Sequence, residues 1–448
     1  MSAASGFCPV VLVAAPASGQ GKTTVASALV RLHQRAGRRV RAFKCGPDFL
    51  DPFWLSLASG APVHSLDLWM NGEADCAQRL QQAALSSDLV VVEGVMGLFD
   101  GQPSAADLAR RFGLPVLAVI DASAMAGTFG ALAFGLQHYQ PDLPWLGVLA
   151  NRVGSERHAQ MLRDGLREPG RWLGALPRDA AWSLPERHLG LVSAHELPDA
   201  LARLDAAADA LAATPLGQRD LADAAQWPRW AGPGDVPAQA PVPPRLAGRR
   251  IAVARDAAFC FIYPSNLDTL RALGAELHFF SPLQGEPVPE ADALWLPGGY
   301  PELHAPALSA ASALRASLHA HVAAGRPVWA ECGGMMALFD ELVTVDGQVH
   351  AGWGLLPGRV QMQKRLAALG PQQWDTGAGV LRGHTFHYSR CETALHPIGR
   401  SQRPSQAGPT HEGEAIYALG PVKASYFHAW FASAPEAVAR LFLPTEAA

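Results

Sequence analysis

Residues 10–24 read VVLVAAPASGQGKTT, and the fold follows from them. The run Val10–Ala15 is apolar without alternation, as in a strand buried on both faces of a parallel sheet. Beyond the turn, Val25, Ala28, Leu29 and Leu32 recur at helical spacing within Thr23–Arg35, which predicts a helix with one buried face. A Gly-rich turn between such a strand and helix aims backbone N–H groups at one point and forms a cradle for phosphate oxygens. Lys22 suits the β- and γ-phosphates as a compact point charge, and the Thr23 hydroxyl suits Mg²⁺. Gly19, Gln20, Gly21, Lys22, Thr23 and Thr24 are therefore nucleotide-binding candidates. The standard pattern has glycine where this chain has Pro16, but GQGKTT is intact. A chance Gly-rich turn is the competing reading, and the flanking strand and helix argue against it.

The same rhythm continues outward. Strand-like runs at Val40–Phe43, Leu89–Glu93, Val116–Asp121 and Leu146–Asn151 alternate with amphipathic stretches. That alternation predicts an α/β domain whose parallel sheet is covered on both faces. Open sheets of this kind bind ligands at the carboxyl ends of their strands. VVVEGVMGLFDG (90–101) puts Glu93 at such an end, followed by Asp100. FKCGPDFLDP (43–52) presents Lys44, Asp48 and Asp51 on a loop shaped by Gly and Pro. Magnesium takes oxygen ligands and shares them with nucleotide phosphates, so Thr23, Asp48 and Glu93 form a candidate set. Solvated strand-end caps are the alternative for these acids.

Residues 227–248, WPRWAGPGDVPAQAPVPPRLAG, break the rhythm with dense proline and glycine and read as a linker. A second α/β series follows at Arg250–Ala254, Leu277–Phe280, Ala293–Leu296 and Val328–Ala330, with a helical pattern over Ala305–Ala324. The expected domains are 1–226 and 249–448.

Within the second, PVWAECGGMMAL (327–338) reads as strand, sharp turn and helix, with Cys332 at the apex. Small residues tighten such an elbow and expose its nucleophile. The helix end lowers a thiol pKa and offers N–H donors to an oxyanion, Gly333 being one donor and Gly299 of WLPGGYPEL (295–303) the other. The thiol needs a base. His428 in KASYFHAWFAS is a candidate, and His384 and His387 in GHTFHYS are rivals. Their i,i+3 spacing could suit a metal, but no third ligand is evident, so the pair reads as structural. A buried core cysteine is the alternative for Cys332.

Composition narrows the functional class. The 448 residues suggest two domains or three; 49 % are hydrophobic and 17 % charged. With 36 basic against 40 acidic residues the net charge is −4, which gives no footprint for nucleic acid. The six cysteines include no C-x-x-C pair, which argues against zinc and a disulfide framework and fits a reducing cytoplasm. No apolar run reaches the roughly 20 residues of a membrane span. Lysine occurs only at positions 22, 44, 364 and 423, so the two in the motifs above stand out.

Taken together, APASGQGKTT, FKCGPDFLDP, VEGVMGLFDG, NRVGSERH (151–158), LPERHLGLV (184–192), LPGGYPEL, ECGG and SYFHAWFAS resemble the glutamine-hydrolysing cobyrinic (or hydrogenobyrinic) acid a,c-diamide synthases of corrinoid biosynthesis. The resemblance implies an N-terminal P-loop domain like dethiobiotin synthetase and a C-terminal class I-like glutamine amidotransferase domain. It implies Cys332 as nucleophile, His428 as its partner, and Asn151 among the nucleotide-binding residues. Lys44, Asp48, Asp51 and Asp100 would lie near the phosphoryl transfer to a corrinoid substrate, with ATP, glutamine and Mg²⁺ required. Class I amidotransferases usually carry glutamate two residues after the histidine; here that position is Trp430, and the cobyrinic-type branch lacks this glutamate. Ala330 likewise replaces a usual glycine. The alternatives are cobyric acid synthase, a P-loop ATPase switch with an inactive amidotransferase-like domain, and a plain cysteine hydrolase. The expected protein is cytoplasmic, with no membrane or nucleic-acid partner; a homodimer is the one assembly considered, and the oligomeric state stays open.

Overall fold

The computed structural model describes residues 7–187, 190–191, 197–235, 241–404 and 412–444. Parts of two sequence features, 188–189 and 192 of LPERHLGLV and 236–240 of the Pro-rich stretch, lie outside the described residues. The chain divides into two compact units, residues 1–239 and 240–448.

The first unit alternates strands and helices: β1 (Val10–Ala14), α1 (Lys22–Arg35), β2 (Val40–Cys45), α2 (Asp51–Ser59), β3 (His64–Leu66), α3 (Glu73–Ser86), β4 (Leu89–Glu93), α4 (Ala105–Phe112), β5 (Val116–Asp121), α5 (Thr128–His138), β6 (Trp145–Val153), α6 (Glu156–Asp164) and β7 (Trp172–Pro177). A short hairpin, β8 (Glu186–Arg187) and β9 (Gly190–Leu191), and helix α7 (Ala200–Ala212) complete it. Strands β1 to β7 form one sheet in the order β3-β2-β4-β1-β5-β6-β7, and the neighbours pair in parallel. β1 is central. Its Val10, Leu12 and Ala14 face one core layer while Val11 and Val13 face the other, so a strand buried on both sides needs an unbroken apolar run. The turn after β1 and the ends of β2 and β4 thereby meet at one edge of the sheet.

The second unit contains β10 (Arg250–Ala254), α8 (Pro264–Ala272), β11 (Glu276–Phe280), β12 (Ala293–Leu296), α9 (Ala305–Ala310), α10 (Ser312–Ala323), β13 (Val328–Glu331) and α11 (Gly333–Leu338). After these come β14 (Phe339–Val343), β15 (Val349–Ala351), β16 (Leu356–Met362), β17 (Ala368–Asp375), β18 (Val380–His387), β19 (Ser389–Glu392), β20 (Gly399–Gln402), β21 (Glu412–Leu419), β22 (Val422–Ser425), β23 (His428–Trp430) and α12 (Pro435–Phe442). Ten strands form one sheet, β11-β10-β12-β13-β22-β21-β20-β17-β18-β23, and β15-β14-β16-β19 form another. The parallel part runs from β11 to β22, and β13, which carries the elbow, lies inside it.

Two sequence expectations change here. The helical pattern over 305–324 is two helices, because Ala311 leaves helical geometry (φ −76°, ψ 69°). The Pro-rich stretch is not a bare linker throughout: Trp227 and Trp230 are buried in the first unit, and the Trp230 indole donates to the Phe112 carbonyl at 2.6 Å. Leu246 is buried in the second unit.

Candidate active site

In the first unit the turn from β1 into α1 takes left-handed geometry at Gly19 (φ 76°) and Gly21 (φ 92°), a conformation glycine adopts without Cβ strain. A methyl group at Gly21 would also lie 2.1 Å from the Asn151 amide nitrogen, which donates to the Gln20 carbonyl at 2.9 Å. The Gln20 side chain in turn accepts from the Asp121 amide at 2.8 Å. Asn151, at the end of β6, and Asp121, at the end of β5, thus hold the loop from its far side. Thr24 follows in the first turn of α1, half-buried.

Lys22 is buried and donates to the carbonyls of Ala17 (3.0 Å) and Met96 (2.6 Å), bridging the loop to the turn after β4. Burial and the nearby Lys44 charge lower its pKa. In that turn, Asp100 is exposed and accepts from the Gly97 amide at 2.7 Å.

One chain of polar contacts joins the remaining candidates. The Thr23 hydroxyl donates to Glu93 Oε1 at 2.7 Å; Lys44 Nζ lies 3.1 Å from the same oxygen, 2.5 Å from Asp51 and 3.8 Å from Asp48. Asp48 Oδ1 accepts from the Leu50 and Asp51 amides and so fixes the entry to α2. Burial opposes the charge on Lys44, but Asp51, Glu93 and Asp48 outweigh it and raise its pKa. Burial also pushes the Glu93 carboxyl up to about 8. Glu93 Oε2 is buried without a hydrogen-bond partner among the described residues. Thr23 and Glu93 therefore present oxygens of the kind magnesium takes. Among the described residues there is no group of three or more His, Cys, Asp or Glu that could hold a metal ion by itself.

The second unit builds its site at the β13–α11 turn. Cys332 adopts φ 45°, ψ −108°, a strained conformation for a residue with a Cβ, and is almost fully buried. Its amide donates to the Ser425 carbonyl at 2.7 Å, tying the elbow to β22. The helix can start only because its first residues lack side chains. A methyl at Gly333 would lie 2.8 Å from the Gly299 amide nitrogen, and one at Gly334 would lie 2.1 Å from the Leu296 carbonyl oxygen. The two oxyanion candidates, Gly299 and Gly333, are thus in direct contact.

His428 reaches the same loop from β23. A methyl at Gly298 would lie 2.4 Å from His428 Cε1, so the 298–299 turn touches both the imidazole and Gly333, the residue after Cys332. The ring is buried, stacks on His384 (4.9 Å, 14°), and has Phe261 at 6.1 Å. His384 pairs with His428 across β18 and β23, and its Nδ1 lies 3.3 Å from the Tyr263 hydroxyl. His384 accordingly packs at the site, whereas His387 contacts Glu414 and Ser389. Asn266 clamps β23, donating to the Ala429 carbonyl (2.8 Å) and accepting from the Phe431 amide (2.9 Å). Trp430, in the position of the usual glutamate, is buried edge-on to Tyr263 at 5.1 Å.

Burial raises the Cys332 thiol well above its ordinary value, with Glu302 adding to the shift. Burial, with His384 and His387, lowers His428 far below the usual imidazole range. Burial thus disfavours the charged form of both groups. Sequence reasoning missed Glu331, Tyr263 and Asn266. Glu331 could have been suspected as a charged residue at the end of an apolar strand, but the other two act across more than a hundred residues and leave no local signal.

The comparisons with known proteins agree with this division. Residues 11–192 match the CobQ/CobB/MinD/ParA nucleotide binding domain, and residues 250–436 match the CobB/CobQ-like glutamine amidotransferase domain. The chain is 57 % identical over 437 residues to a hydrogenobyrinate a,c-diamide synthase of Pseudomonas aeruginosa, covering 98 % of each chain. A protein of the same name from Stutzerimonas stutzeri is 56 % identical, covering 98 % of this chain and 99 % of its own. The cobyrinate a,c-diamide synthase of Herminiimonas arsenicoxydans is 48 % identical, with 99 % of each chain covered. With both domains matched and such relatives spanning nearly its whole length, the chain belongs to the hydrogenobyrinate and cobyrinate a,c-diamide synthase family of glutamine-dependent amidoligases.

Proposed function

We propose that this protein amidates the a and c carboxylates of hydrogenobyrinate or cobyrinate, using ATP and ammonia released from glutamine. The observation that carries the reading is the strained Cys332 elbow, with His428 seated on the adjoining Gly298–Gly299 turn, in a chain whose β1–α1 turn also keeps the left-handed Gly19 and Gly21 of a phosphate loop. The metal-free ring is the favoured substrate, since the relatives at 57 % and 56 % identity are named for it.

In the glutaminase half-reaction Cys332 Sγ attacks the side-chain amide carbon of glutamine, and its proton passes through the His428 imidazole to the departing nitrogen. The oxyanion faces the Gly299 and Gly333 amides. Water then cleaves the thioester to glutamate. Starting from a neutral pair is consistent with the pKa directions above, because the proton leaves the thiol as the new bond forms.

In the synthetase half-reaction the substrate carboxylate attacks the γ-phosphorus of ATP and expels ADP, giving an acyl phosphate that ammonia converts to amide with release of phosphate. Lys22 moves from its carbonyl partners to the phosphates, and the loop amides from Gly19 to Thr24 hold them. Mg²⁺, held by Thr23 and Glu93 with Asp48 beside them, would neutralise charge on the phosphate oxygens. Lys44, fixed by three carboxylates, and Asp51 and Asp100 would orient the acceptor.

The test is ATP- and glutamine-dependent turnover with each ring, read by mass spectrometry as stepwise replacement of OH by NH₂. Turnover of neither ring by the folded protein would overturn the assignment.

A further inference from the structure

A cavity of about 400 Å³ has a lining that includes His387, Ser389, Arg400, Arg403, Glu414 and Tyr426, the last of these directly after β22. Its inner wall is bonded to the nucleophile by two short routes. Tyr426 follows Ser425, whose carbonyl accepts from the Cys332 amide at 2.7 Å. Ser389 Oγ donates to the Tyr426 hydroxyl at 2.9 Å and meets Met336 Sδ at 3.5 Å, and the Met336 amide donates to the Cys332 carbonyl at 2.9 Å. His387 stacks on Tyr426 at 3.7 Å and 7°, making that wall a rigid aromatic plate.

Charge within the cavity is paired in sign. Glu414 is held in one orientation, with Oε1 3.1 Å from His387 Nε2 and accepting from Thr385 Oγ1 at 2.8 Å, while its amide donates to Ser401 Oγ at 2.8 Å. Burial acts to raise its carboxyl, but His387, Thr385 and Arg400 hold it below the usual range, so it is ionised. Arg400 donates to the Gly413 carbonyl and lies opposite Ala415 in the β20–β21 register, beside Glu414. Arg403 and Arg390 add further guanidinium groups to the lining. A free α-amino acid carries an ammonium and a carboxylate on one carbon. A fixed anion and a cation held close together, on a wall bonded to the elbow, suit those two groups.

We propose that this cavity recognises the amino-acid end of glutamine, Glu414 taking the α-ammonium and Arg400 the α-carboxylate while the side-chain amide extends to Cys332. The assignment rests on Cys332 being the glutaminase nucleophile. Ammonia release by the full-length protein would be compared for L-glutamine, for glutaramate (which lacks the amino group) and for 4-aminobutanamide (which lacks the carboxylate).

The wild-type protein is expected to prefer glutamine over either analogue by on the order of 10²-fold in kcat/KM, as polar groups left unpaired in a built site cost affinity. Glu414→Gln should bring glutamine to within about threefold of glutaramate, and Arg400→Ala should do the same against 4-aminobutanamide. Since Glu414→Gln could disturb the fold through His387 and Thr385, thermal unfolding is recorded for it, and the exposed Arg400 provides the independent arm. Retention of the wild-type preferences in both folded variants would overturn the proposal. So would a rise in KM for the corrinoid acid, rather than for glutamine, on Arg400→Ala. Glutamate release surviving in Cys332→Ala would instead overturn the reading beneath it.

Discussion

Burial at the end of β13 pushes the Glu331 carboxyl up to about 8, opposed by the Trp329 indole N–H and the Ala429 amide. In the unfolded chain the same group titrates near 4.3. The folded state therefore holds a proton that the unfolded chain has released, and the contribution present below about pH 4.3 is lost as pH rises through about 8. Glu331→Gln cannot ionise. Its stability relative to the wild type should improve between pH 5 and pH 9, by on the order of a few kcal/mol in denaturant titrations. Parallel stability profiles for the two proteins would refute this. Lys44 behaves in the opposite sense, because it neutralises three carboxylates while only 1 % exposed. Lys44→Met should destabilise by about 3–5 kcal/mol, as expected on removing one partner of a buried pair. The deficit should shrink as pH falls through about 8, where Glu93 takes up a proton. Motifs singled out Cys332, Lys22 and Lys44, because each stands in a short pattern with a chemical reason, whereas His428 stands beside two rival histidines and only the family resemblance chooses it. Tyr263, Asn266 and Glu331 matter through contacts with β18 and β23, and no local pattern encodes those.

At the scale of elements, legibility follows burial. β1, β4 and β5 are buried on both faces and read as unbroken apolar runs. β3 is only three residues long, and β17 alternates exposed and buried residues around two glutamines, so neither gave a clear signal. Glycines show the same contrast, because identical substitutions have opposite consequences. Gly334→Ala would drive a methyl to 2.1 Å from the Leu296 carbonyl oxygen at the foot of the elbow. It should cost about 1–3 kcal/mol of stability by overpacking and abolish glutamate release. Gly135→Ala, in the exposed middle of α5, meets nothing within 4 Å. It should stabilise the protein by roughly 0.5–1 kcal/mol, since alanine loses less entropy in a helix. Thermal unfolding of both variants checks the pair, and a destabilised Gly135→Ala would show that the helix does not tolerate the added methyl.

For the whole molecule, the sequence announced two units through two phosphate-to-thiol landmarks and a proline-dense stretch between them. Where that stretch stops being a linker was not legible, since the tryptophans at 227 and 230 find their partners in strands and helices over a hundred residues earlier. Two units with separate chemistry make a strong demand on variants. On the proposed reading Lys22 serves only the phosphate end of the reaction, and Cys332 only the glutamine end. Lys22→Ala should stop amide formation with either nitrogen source yet still release glutamate from glutamine. Cys332→Ala should release no glutamate and still form amide when ammonia is supplied in excess. The measurement is product mass and glutamate release for each variant under both nitrogen sources, with unfolding curves to confirm folding. If folded Cys332→Ala fails with ammonia, the thiol also serves the synthetase step, and the division of labour between the two units is wrong.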